Sequence, residues 1–165
     1  MTEVNQLAEQ LRNGALEARI DAAEELASLG EDAQNAALSL IECLETGDDP
    51  LQEWAVAALE QLGPPNVADM EALTSLLERD HELVGYWACT LLGRLEGEAT
   101  AATPALAKTL QTSQHLAVQQ RAAWALGKIP YSDASVTQAL QDASQSDDAR
   151  LSRLAQQAID SKTSL

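Results

Sequence analysis

One spacing constrains this chain more than any other feature: residues of one kind return every 33 positions. The stretch LAEQLRNG, Leu7 to Gly14, comes back as LIECLETG, Leu40 to Gly47, with Leu, Glu, Leu and Gly in matching places. Ala22, Ala55, Ala88, Ala122 and Ala155 form one column, with steps of 33, 33, 34 and 33. Leu26, Leu59, Leu92, Leu126 and Ile159 follow four residues later, and Leu29, Leu62, Leu95 and Ile129 three further on. Ala18, Leu51, Val84, Val118 and Leu151 stand four before the alanines. These offsets mark one face of a helix, termed helix A, and alanine in mid-stripe lets a neighbouring helix approach closely. A second stripe, helix B, runs between them. It reads Val4, Leu7 and Leu11, then Ala37, Leu40 and Leu44, then Met70, Leu73 and Leu77, then Thr103, Leu106 and Leu110, and weakens to Thr137 and Leu140.

A helical hairpin of this kind cannot cover its own apolar face, whereas stacked neighbours bury it jointly. The expected fold is therefore all-α: an α-α superhelix, a short right-handed solenoid of about ten antiparallel helices. A single domain over 1–165 is expected, made of a half-repeat 1–14, repeats 15–47, 48–80, 81–113 and 114–146, and a terminal half-repeat 147–165. Gly30, Gly63-Pro64-Pro65, Gly97 and Pro130 end or follow the A helices. Asp49-Pro50 reads as an N-cap with proline at the first helical position, and Asp80 and Asp147 occupy similar starts. Half-repeats at both ends leave apolar surface, so end-to-end self-association stays open.

Composition agrees with helix and narrows the partners. Hydrophobic residues make up 45% but aromatics only 3%, with no Phe, so the apolar mass is helix-forming Ala and Leu. A net charge of −16 argues against gripping nucleic acid, which needs Lys and Arg to displace counterions, and against anionic membrane. Residues 1–80 hold 18 acids and three bases, whereas residues 81–165 hold eight acids and seven bases. That asymmetry fits either a solvated, soluble surface or an electrostatic docking end for a basic partner. Cys43 and Cys89 sit at non-equivalent helical positions and read as reduced core residues rather than a disulfide. The start, MTEVNQLAEQLRNG, lacks the basic and apolar regions of a signal peptide, and no run has the length of a membrane span. A soluble, cytoplasmic protein is expected.

The stretches DDPLQEWAVAALEQLG, HELVGYWACTLLGRL and LAVQQRAAWALGKI resemble HEAT-like repeats of the bilin-lyase type, and the resemblance covers nearly the whole chain. It implies the superhelical fold, a binding scaffold, and B helices lining the concave side. The arginine that follows valine in that family is replaced here by Gln52, Gly85 and Gln119. Arg19 keeps it after Ala18, where the valine is lost, and Arg150 precedes Leu151.

Rotation from the core stripe gives three outward columns on the B helices. They are Gln6, Ser39, Ala72, Ala105 and Ala139; Glu9, Glu42, Ser75, Lys108 and Asp142; and Thr2, Asn35, Ala68, Ala101 and Ser135. Ser39, Glu42, Ala72, Ser75, Ala105 and Lys108 are the candidate contacts of a shallow groove for an extended or helical segment; the alternative is that alanine simply stabilises exposed helix. Trp54 and Trp87 stand one unit apart, with Arg121 at the next equivalent position and Asp21 at the previous one, so a Trp–Trp–Arg ladder is a rival. Tyr86, Trp87 and Trp124 are candidates for a contact patch, including self-association.

His81 and His115 share a column with Asp48 and Asp148 and read as helix-start residues. Neighbouring units stand too far apart for one zinc ion. The pairs Glu24-Glu25, Glu31-Asp32 and Asp48-Asp49 lack calcium-loop spacing and read as caps and solvated charge. No metal, cofactor or catalytic residue is assigned, since no nucleophile elbow, phosphate loop or zinc-protease helix occurs. The leading expectation is a non-enzymatic protein- or peptide-binding scaffold, or an assembly or regulatory module, favouring a basic partner. The alternative is a bilin-lyase-like or chromophore-handling protein, on the resemblance alone. A HEAT-like base-excision glycosylase is disfavoured, because it needs a basic face and only Lys108 and Arg79 are at hand.

Overall fold

Alanine and leucine at helical spacing produce helix wherever the two stripes predict it. The computed structural model describes residues 2–163; Met1, Ser164 and Leu165, at the outer ends of the first and last expected half-repeats, lie outside the described residues. Ten α-helices occur among the described residues: α1 (Glu3–Asn13), α2 (Leu16–Leu29), α3 (Ala37–Cys43), α4 (Asp49–Gln61), α5 (Met70–Leu76), α6 (Glu82–Arg94), α7 (Thr103–Thr112), α8 (Leu116–Lys128), α9 (Ala134–Ser144) and α10 (Ala149–Thr163). Odd-numbered helices are type B and even-numbered ones type A. Short 3-10 turns at Gly30–Ala36 and Glu96–Ala102 lead into α3 and α7.

The chain forms two units, Met1–Asp69 and Met70–Leu165. In the first, α1 packs on α2 and α3, α3 on α4, and α2 on α4. In the second, α6, α8 and α10 lie side by side as A helices, α7 packs on α9, and each B helix packs on the A helix that follows it. The alanine column forms the core of both: Ala22 and Ala55 in the first, and Ala88, Ala122 and Ala155 in the second, are fully buried. Leu26, Leu59, Leu92 and Leu126 are buried beside them. The stripes loosen at their ends, where Ala18, Leu29, Met70, Leu77 and Ile159 are half-buried.

The helix starts fall one residue from the expected places. Asp48, not Asp49, is the N-cap of α4, accepting from the Leu51 amide at 3.0 Å, so Pro50 is the second helical residue. His81 rather than Asp80 caps α6, and Asp148 rather than Asp147 accepts from the Leu151 amide at 2.7 Å. In each case the capping side chain is the one three residues before the amide it satisfies. Two A-helix ends fall on the expected glycines and one does not. Gly30 (φ 57°, ψ −127°) occupies a region open essentially to glycine, and Gly63 has φ 71°. In the third repeat the left-handed residue is Glu96, φ 49°, not Gly97.

Candidate functional site

The second unit contains a groove of about 560 Å³ between α5 and α7. Neither of these B helices fills the space between them: α5 packs on α6, α7 on α8, and both touch the Glu96–Ala102 turn. One wall carries Thr74, Ser75 and the post-helical residues Glu78, Arg79 and Asp80; the other carries Ala105, Lys108 and Thr112. Gly85, His81, His115 and Val118 lie at its base end. The groove therefore brings together Ser75, Ala105 and Lys108, three of the residues singled out by rotation.

Its hydroxyls are held by their own helices. Thr74 Oγ1 donates to the Met70 carbonyl at 2.7 Å, Ser75 Oγ to Glu71 at 3.1 Å and Thr112 Oγ1 to Lys108 at 2.8 Å. Each hydroxyl thus spends its proton and keeps acceptor lone pairs. His115 Nε2 lies 3.1 Å from Asp80 Oδ1. His81 Nδ1 accepts from the Val84 amide at 3.4 Å as the cap of α6. Both histidines are the helix-start residues their column predicts. Among the described residues, no group of three His, Cys, Asp or Glu side chains is placed to hold a metal ion.

The other candidates are placed differently. Ser39 is 2% exposed and accepts from Arg12 Nη1 at 2.7 Å, so the helix rotation that pointed it outward is corrected by the cover α1 provides. Ala139, in the same column, is also buried, whereas Glu42 and Ala72 are exposed. Trp87 is 5% exposed and packs edge-on to Tyr86, with ring centroids 5.5 Å apart and Arg94 5.7 Å from its centroid. It is interior, not part of an open patch.

Arg121 leaves the expected ladder as well. Its guanidinium lies 4.0 Å from the Trp124 centroid and 5.0 Å from that of Tyr86, and its Nε donates to Thr90 Oγ1 at 2.7 Å. Burial pushes the Arg121 pKa below its usual range, with Tyr86 opposing and nearby Arg150 adding to the shift. Tyr86 and Trp124 are half-buried around it, beside a cleft of about 130 Å³. Trp54, in the first unit, is 37% exposed.

A helices with a fully buried alanine column recur in both units, and a family profile of HEAT repeats matches residues 70–160. The chain belongs to the HEAT-repeat family. The matched HEAT repeats include the whole groove. Among solved structures, the HEAT-repeat chain is similar to an engineered protein at 23% identity, covering 99% of this chain and 81% of that one with a TM-score of 0.67. It is similar to a designed armadillo repeat protein in complex with the peptide (KR)4 at 17% identity, covering 96% and 81% with a TM-score of 0.65. A HEAT-like repeats protein of the archaeon Thermococcus onnurineus NA1 matches at 16% identity, covering 99% and 67% with a TM-score of 0.54. These likenesses are likenesses of fold: all-helical, with repeat solenoids as neighbours. None of the curated proteins matches the chain. No helix among the described residues is long and apolar enough to cross a membrane.

Rotation of the HEAT B helices missed Glu78, Asp80, His115 and Gly85, because they lie in the turns and on the next A helix. One signal was available: Gly85 interrupts a column otherwise occupied by Arg19, Gln52, Gln119 and Ser152.

Proposed function

We propose that this HEAT-repeat chain is a non-enzymatic scaffold that binds an extended, basic protein or peptide segment, and that the segment lies between α5 and α7. The observation that carries the reading is the open groove of about 560 Å³, walled by small side chains that let a backbone approach and by hydroxyl oxygens that accept hydrogen bonds. Glu78 and Asp80, which flank Arg79, present carboxylates on the α5 side, while Lys108 on α7 suits a backbone carbonyl. The charge of −16 steers a basic partner towards the chain at low salt. The fold neighbour in complex with (KR)4 makes that peptide the natural probe. Half-buried Tyr86 and Trp124 offer a second contact surface, for the partner or for another copy.

The test is a titration with labelled (KR)4, followed by anisotropy. Affinity should fall roughly tenfold between about 50 mM and about 300 mM salt, because exposed charges are screened. Replacing Ser75 and Ala105 together by arginine should abolish binding in a variant that stays folded; undiminished binding would reject the groove.

The second reading, chromophore handling, draws on the resemblance to bilin-lyase-type repeats and on Lys108, which could pair with a propionate in the same groove. Mixing the chain with a bilin and seeing no absorbance shift would end it.

A further inference from the structure

One hydrogen bond recurs at the junctions where a B helix turns into the next A helix. Arg19 Nε donates to the Leu11 carbonyl at 2.8 Å, Gln52 Nε2 to Leu44 at 2.7 Å, Gln119 Nε2 to Ser113 at 2.8 Å, and Ser152 Oγ to Ser144 at 2.7 Å. The donor always stands one residue past the first core position of the A helix, and its acceptor lies at the end of the B helix, where carbonyls lack intrahelical partners. Three of the four bonds span eight residues. The fifth junction has Gly85, which has no side chain to donate, and Leu77 stands eight residues before it.

The A helix of this junction is capped by His81 at 3.4 Å, longer than the caps by Asp48 at 3.0 Å and Asp148 at 2.7 Å, whereas α2 and α8 have no side-chain cap. After α5 the chain unwinds through three bonds of 3.2 Å, from the amides of Leu77, Glu78 and Arg79 to Thr74, Ser75 and Leu76. The groove opens at this place, with Gly85 and Leu77 both in its lining.

We propose that an arginine side chain of the bound segment enters beside Gly85 and donates to the Leu77 carbonyl, flanked by Glu78 and Asp80. The partner thereby supplies the fastening that the other four junctions carry themselves. The chain contains its own precedent for the chemistry, since Arg19 makes this bond at the first junction. The negative end of α5 and the two carboxylates match a guanidinium in sign, and its several donors suit adjacent carbonyl and carboxylate oxygens better than a single ammonium does. This inference rests on the groove reading and adds to it the residue type that is read.

The experiment compares wild type, Gly85→Ala and Gly85→Gln for binding of (KR)4 and of an all-lysine peptide of equal length, by calorimetry at one low salt concentration. Both substitutions place the same Cβ 3.1 Å from the two Val118 methyl carbons, so their difference isolates the amide. Wild type should prefer (KR)4 over all-lysine severalfold, and Gly85→Ala should retain the preference. Gly85→Gln, whose amide can bond Leu77 as Gln52 bonds Leu44, should bind (KR)4 about tenfold more weakly, the scale of one charge-assisted hydrogen bond, and lose the preference. Equal loss in both variants would assign the effect to packing on Val118 and overturn the inference with the groove intact. So would unchanged binding by Gly85→Gln, or no arginine preference in wild type, a comparison that needs no variant to fold. Failure of (KR)4 to bind wild type at all would remove the groove reading and this inference with it.

Discussion

Single residues carry two testable consequences. Cys89 is fully buried in α6, and burial pushes its thiol pKa from an ordinary value near 9 up to about 12. Cys43 is raised in the same direction by burial, against the Arg19 guanidinium 3.7 Å from its sulfur. The folded chain therefore keeps both protons where the unfolded chain has begun to release them. Stability from this source is complete below about pH 9 and is lost progressively as pH rises from there towards 12. Thermal unfolding should show a midpoint that declines above pH 9, and an aromatic disulfide reagent should label neither thiol until the chain unfolds. Rapid labelling of native protein would contradict the burial. Glu96 is the second case. It holds a left-handed φ of 49° at the place where the two earlier A helices end in Gly30 and Gly63. Glu96→Gly should relieve that strain and stabilise by about 1 kcal/mol, measured by denaturant titration; a loss of stability would show that the turn is not strained.

Elements are held together by the buried alanine column and by the donor that four of the five A helices extend to the B helix before them. Gln52→Ala removes the bond to Leu44 and should cost about 1 kcal/mol, with the loss showing as faster amide exchange at the end of α3. Exchange unchanged there would deny the clip its role. The helices were legible in the sequence because burial imposes a period: Ala22, Ala55, Ala88, Ala122 and Ala155 are all fully covered, as their spacing requires. The outer columns were less legible. Rotation gives the direction of a side chain but not what lies over it, so Ser39 was read as open although Arg12 of α1 covers it. Trp87 failed for the same reason, and Arg121 turned to Trp124, three residues along its own helix, instead of to a neighbouring unit. The groove was the least legible part, since it depends on a side chain that is missing at Gly85 and on turn residues outside any periodic stripe.

The molecule as a whole is a HEAT-repeat chain with a net charge of −16 and an open groove in its second unit. In the proposed reading, long-range charge brings a basic segment near, and short-range acceptors between α5 and α7 hold it. These two contributions separate experimentally, because salt weakens the first far more than the second. The central claim is that binding occurs in that groove, and an amide NMR titration of the whole chain with (KR)4 tests it most directly. The account predicts saturable shifts concentrated at Thr74, Ser75, Glu78, Asp80, Lys108 and Thr112, all residues of the groove lining. Saturable shifts confined to other surfaces, or none at a large excess of peptide in low salt, would contradict it.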